Sequence, residues 1–155
     1  MTFRITGLDP APFRNLFGLP EAELAARGIT RCIADEKPGY PDRIELRDAD
    51  KGDSVLLLNF THMPANTPYR SSHAIYVREG AQQTYDRVGE VPESLRTRLI
   101  SLRAFDDAGM MLDADIVDGK DLEELIEKLL SVPGVSYLHA HFARRGCYAA
   151  RIERA

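Results

Sequence analysis

A chain of 155 residues, 44% hydrophobic and 28% charged, is long enough to build one real core and too apolar to stay disordered. Its net charge of −4 carries no basic footprint for nucleic acid, and no apolar run approaches the roughly 20 residues of a membrane helix. The opening Met1-Thr2-Phe3-Arg4-Ile5 lacks the apolar stretch of a secretory signal. The expectation is therefore a cytoplasmic protein with neither nucleic-acid nor membrane partners, its oligomeric state open.

Phe3 to Leu8 alternates and reads as a first strand, broken by Asp9-Pro10-Ala11-Pro12. One helical turn over Phe13 to Phe17 is followed by a short helix over Pro20 to Gly28, with proline first, acids early and glycine at the end. Ile29 to Ala34 is a strand candidate. Ile44 and Leu46 alternate with Arg43, Glu45 and Arg47, as in a strand with one wet face. Val55 to Leu58 is apolar on both faces and predicts a central strand. A polar loop from Met63 to Ser72 leads into a strand at His73 to Arg78. Residues 79–97 are ambiguous, with a helix start near Pro92. Leu99 to Phe105 and Met110 to Val117 read as a hairpin. From Lys120 to Leu130, Leu122, Leu125, Ile126, Leu129 and Leu130 form one stripe at helical spacing, capped by Asp118 and stopped by Pro133-Gly134.

The last twenty residues read as a second hairpin, closed at Arg144-Arg145-Gly146. Strand alternation puts Leu138, Ala140 and Phe142 on one face and His139 and His141 on the other. A regular register sets His139 opposite Arg151 and His141 opposite Ala149. It sorts Tyr148, Ala150 and Ile152 onto the apolar face and Cys147 and Arg151 onto the histidine face. The whole predicts a single globular domain over 1–155. Its class is α+β: an antiparallel-rich sheet of about seven or eight strands, two or three helices, and a C-terminal β-β-α-β-β order in which the long helix crosses one sheet face.

Several residues offer chemistry. His139 and His141, two apart on a strand, can both reach one ion, and His62 and His73, which flank the Met63–Ser72 loop, could complete the shell. With no CxxC, no HExxH and no dense acidic cluster, the sequence commits to no metal and names no cofactor. An HxH face packed under a loop is the alternative. Cys32 and Cys147 are possible reactive thiols, or small buried hydrophobes. They are expected to be reduced. Tyr69-Arg70-Ser71-Ser72 gathers a guanidinium, hydroxyls and backbone donors suited to a small anion, or merely ties its own loop.

Four segments together resemble one family: Arg31-Cys32-Ile33-Ala34-Asp35 with Pro38-Gly39-Tyr40-Pro41; Thr67-Pro68-Tyr69-Arg70-Ser71 running into Ile75-Tyr76-Val77-Arg78; Arg103-Ala104-Phe105-Asp106; and His139-Ala140-His141 through Gly146-Cys147 to Arg151-Ile152. They resemble the bacterial Domain of Unknown Function family 1203, in order and over most of the chain. The resemblance implies a bacterial, single-domain, soluble protein and assigns no activity. Family members carry a cysteine where this chain has Asp42 and an asparagine where it has Phe142, so chemistry resting on those two side chains is not expected here.

The reading adopted is a small-molecule binding protein whose pocket draws on Arg70, His73, His139, His141 and Arg151 and holds a small anion. A small enzyme with histidine acid–base chemistry, or with Cys32 or Cys147 as nucleophile, is the first alternative. An interaction module using the exposed histidine face of the last hairpin is the second.

Overall fold

The structure, a computed structural model, describes residues 2–155. Among them, nine strands form two antiparallel sheets. The larger is ordered β5-β1-β9-β8-β6-β7, built from β1 (Phe3–Thr6), β5 (Asp86–Val88), β6 (Leu99–Phe105), β7 (Met111–Asp118), β8 (Tyr137–Phe142) and β9 (Tyr148–Arg154). The smaller is β2 (Thr30–Ile33), β3 (Ser54–Met63) and β4 (Ser71–Arg78), with β3 in the middle, as its doubly apolar run predicts. Helices α1 (Glu21–Ala26), α2 (Glu93–Arg96) and α3 (Leu122–Leu130) and two 3-10 turns, Ala11–Leu16 and Gly119–Asp121, complete an α+β fold.

Helix α3 forms where the stripe lies. All five of its apolar residues are buried, and the Asp118 side chain accepts from the Lys120 amide to start the preceding turn. Gly119 allows the close approach that follows, since a Cβ there would sit 1.9 Å from the Leu95 carbonyl oxygen. The helix packs on one face of the larger sheet, against β6, β7, β8 and β9. That face is greasy by alternation: Ile100, Leu102 and Ala104 of β6, Leu138, Ala140 and Phe142 of β8, and Ala150 and Ile152 of β9 all join α3 in one core. A second core joins Leu56 and Leu58 of β3 and Ile75 and Val77 of β4 to Phe13, Leu24 and Ile29. The opposite face of the larger sheet meets the smaller sheet, and this seam is where the polar residues collect.

Three expectations need correction. Residues 43–47 are not a wet-faced strand. Arg43, Ile44 and Leu46 are all buried, and Leu46 takes a φ of 52°. Alternation of charge and apolarity there reflects a compact loop covered on both sides. Strand β5, a short polar edge strand, left no periodic trace. Finally, the last hairpin contains a bulge. Leu138, His139 and Ala140 pair with Ile152, Arg151 and Ala150 as the regular register requires, but His141 then pairs with Tyr148. Ala149 is the extra residue. Tyr148 therefore joins the histidine face, and Cys147 moves off it to pack beside the α3-side core. Among the described residues, no helix is long and apolar enough to cross a membrane.

Candidate metal centre

Period-2 alternation delivers histidines to the seam from both sheets. On β3, Leu56, Leu58, Phe60 and His62 share a face, and on β4 His73 continues the row of Ile75 and Val77. On β8, Tyr137, His139 and His141 share the face turned from α3. On β6, Arg103 stands opposite His139 and Ser101 opposite His141. Closing the seam brings all four of the chain's histidines together. The His62 ring stacks on His73 at 4.7 Å between centroids and meets His141 edge-on at 5.0 Å and His139 at 5.6 Å. Tyr148 lies flat against His62, 5.0 Å away and tilted by 7°.

A hydrogen bond assigns the tautomer of one ring. His141 Nδ1 lies 2.9 Å from the Gly146 carbonyl oxygen, which only accepts, so Nδ1 carries the proton and Nε2 the lone pair. His62 Nε2 lies 2.7 Å from His73 Nδ1 and 3.2 Å from the Ser71 hydroxyl, which itself donates to the Tyr69 carbonyl at 3.1 Å. His141 Nε2, His62 Nδ1 and His139 Nδ1 are buried and have no hydrogen-bond partner among the described residues.

Each of His62, His139 and His141 offers one ring nitrogen within 4.8 Å of those offered by the other two. Ligands about 2.0–2.1 Å from a tetrahedral zinc stand roughly 3.4 Å apart, so a shift of about an ångström at most closes the triangle. Burial keeps the rings neutral. It pushes His139 and His141 down to about 3 and His62 down to about 4, with neighbouring His73 and Arg103 adding to the effect on His62. His73 is lowered too, again mainly by burial. Neutral imidazole is the ligand-competent form. The charges that bear on the cluster are cationic: Arg103 acts on all four rings and Arg151 on His139.

Of the five residues expected to line a pocket, His73, His139 and His141 come together, with His62 joining them. Arg151 sits beside His139 across the β8–β9 pair, over the Tyr137 ring at 4.0 Å and against Glu153 at 3.3 Å. Arg70 is exposed on the loop before β4, and its side chain makes no hydrogen bond among the described residues. Arg103 takes the cationic place instead. Sequence reasoning missed it because only the β6–β8 pairing puts it opposite His139. It also missed Tyr148, which the bulge redirects. The histidine face is not an exposed docking surface: His139 is 3% exposed and His141 0%, covered by the smaller sheet. Cys32, on β2, packs with Tyr40 and Tyr76 away from the rings, and both cysteines are free thiols.

A family model described as a protein of unknown function, DUF1203, matches residues 39–154, and the chain belongs to that family. The match takes in all four histidines, Arg103 and Tyr148. No curated protein and no solved structure matches the chain.

Proposed function

We propose that this DUF1203 protein binds one first-row transition metal, zinc in the first instance, through His62, His139 and His141, and holds a small anion on the open side of the ion beside Arg103. The observation that carries this reading is the set of three buried imidazole nitrogens, one on each of these rings, left without a hydrogen-bond partner. A buried polar atom without a partner costs on the order of 1–3 kcal/mol, and here there is one on each of three rings that bring ring nitrogens within 4.8 Å of one another. Imidazole suits zinc, copper, nickel and iron, whereas magnesium and calcium take oxygen ligands. Among the described residues, no carboxylate or thiol shares the cluster. Three neutral ligands leave the ion its full charge, and three histidines with a fourth position open is the arrangement of hydrolytic and hydration zinc sites. Arg103 then favours a negative fourth ligand, hydroxide or a carboxylate, so the anion comes to the metal and not to the Arg70 loop. The His141 bond to Gly146 and the His62 bond to His73 are the outer contacts that fix ring orientation at such sites.

Cobalt(II) titration of the chelator-treated protein tests it. A saturable, one-to-one rise of the visible bands of four-coordinate cobalt, reversed by zinc, is expected. It should be lost in H139A/H141A. Absence of saturable binding by either metal, or unchanged binding in that variant, sinks the proposal and leaves the nitrogens to ordered water.

A further inference from the structure

The other face of the last hairpin carries a separate arrangement, which the metal reading does not use. The loop at residues 36–41 and the hairpin turn at residues 143–147 enclose a cleft of about 640 Å³. Cys147 and Arg43 line it. Arg43 is 2% exposed, a buried guanidinium with no carboxylate within 4.0 Å among the described residues. Burying a cation without a charge partner is costly, and such a group is normally paired. Its acceptors are the Tyr148 carbonyl at 2.8 Å, the Pro41 carbonyl at 2.5 Å and the Cys147 sulfur at 3.1 Å. A guanidinium has five N–H groups, so two of them, one on each terminal nitrogen, have no acceptor among the described residues. Burial lowers Arg43 from its ordinary value, and the opposing influences come first from Cys147 and then from Asp42. The Asp42 carboxylate is already occupied by the amides of Glu45 and Arg78.

The rest of the lining fixes the sign of the cleft. Arg98 is neutralised by a two-pronged bond to Asp48, at 2.6 and 3.0 Å. Arg144 and Arg145 are exposed on the turn, and Glu36 and Asp118 stand on the cleft's border. Arg43, Arg144 and Arg145 against Glu36 and Asp118 leave an excess of one positive charge, which fits a monoanion. The Phe142 ring, with Arg43 at 4.8 Å and Arg98 at 5.0 Å over it, gives the cleft an apolar floor.

We propose that this cleft is a second site, which holds a small carboxylate-bearing electrophile on Arg43, Arg144 and Arg145 and presents Cys147 to it as the nucleophile. The guanidinium fork matches a carboxylate in plane, and its bond to sulfur fixes the direction from which Cys147 attacks. With iodoacetate as the probe, the sulfur–carbon bond forms as the carbon–iodine bond breaks. Iodide leaves with the bonding pair and the thiol proton passes to solvent.

Cys32 is an internal reference, since it is a free thiol of the same molecule packed against tyrosines with no arginine hydrogen bond. The folded full chain is alkylated with iodoacetate or with neutral iodoacetamide at fixed ionic strength, and each cysteine is followed by peptide mass spectrometry. The iodoacetate-to-iodoacetamide rate ratio should be about tenfold higher at Cys147 than at Cys32, a modest gain for a cleft lined by one sign of charge. R144A/R145A changes two exposed turn residues and should bring the ratio down several-fold without affecting Cys32. Equal ratios at the two cysteines, a Cys147 that reacts with neither reagent, or a ratio that R144A/R145A leaves unchanged would each overturn the assignment.

Discussion

Glu79 shows how one carboxylate ties distant segments together. It accepts from Arg31 Nε at 2.6 Å, from the Ser54 hydroxyl at 2.5 Å and from the Gly18 amide at 2.8 Å, linking the strand end of β4 to β2, β3 and the N-terminal turn. The Arg31 hydrogen bond above all holds its carboxyl down to about 2, against an ordinary 4.5. A carboxylate with a depressed folded value contributes stability that is fully present above the unfolded value and is lost as pH falls through the folded one. The window here runs from about pH 4.5 down to about 2. Both side chains of the pair are less than one-fifth exposed, so solvent screening is limited. E79Q should cost on the order of 1–3 kcal/mol at pH 7, the range for charge-assisted hydrogen bonds in a partly exposed pair. It should also flatten the fall of stability across that window. Urea unfolding of both proteins at several pH values measures it, and parallel curves would show that the network is not held by charge.

At the scale of elements, the two faces of one strand have separate jobs, and most of that division is visible in the sequence. The α3 stripe, the doubly buried β3 and the sorting of β8 into Leu138, Ala140 and Phe142 against His139 and His141 all follow from periodicity, because each element is packed on a defined side. What periodicity does not carry is pairing between distant strands. Arg103 and His139 become neighbours only through β6–β8, and His62 meets His141 only when two sheets close. Nor does it show a bulge: one extra residue at Ala149 exchanges Tyr148 and Cys147 between faces while both strands still look amphipathic. Arg43 is invisible for another reason. A charged residue in an alternating run reads as wet, and only tertiary contacts bury it. Helix α3 allows a quantitative check of what holds an element. Ile126 is 0% exposed within the core, so I126A should cost roughly 2–5 kcal/mol, while D118A, which removes one cap, should cost about 1 kcal/mol. If chemical denaturation gave D118A the larger loss, local capping and not packing would be what fixes this helix.

At the scale of the whole molecule, the proposed metal joins two sheets that otherwise touch through a polar seam. His62 comes from the three-stranded sheet and His139 and His141 from the six-stranded one. An ion that binds only the assembled triangle stabilises the closed arrangement by mass action, by about 2.7 kcal/mol at a free concentration of 100 times Kd. For a chain of this size that corresponds to a rise in Tm of roughly 5–10 °C. The shift should depend on where each ligand comes from. H73A leaves the triangle intact and should keep most of the zinc-induced rise, losing only the outer contact to His62. H62A removes the one ligand supplied by the smaller sheet. The two histidines left on β8 can still meet an ion, but that ion no longer bridges the seam, so the rise should nearly vanish. Thermal unfolding of the wild type, H73A and H62A, each with chelator and with zinc, separates the two roles. A full zinc shift in H62A would mean that the ion, if bound, sits on β8 alone, and the seam would then owe its closure to ring stacking and the apolar contacts beside it.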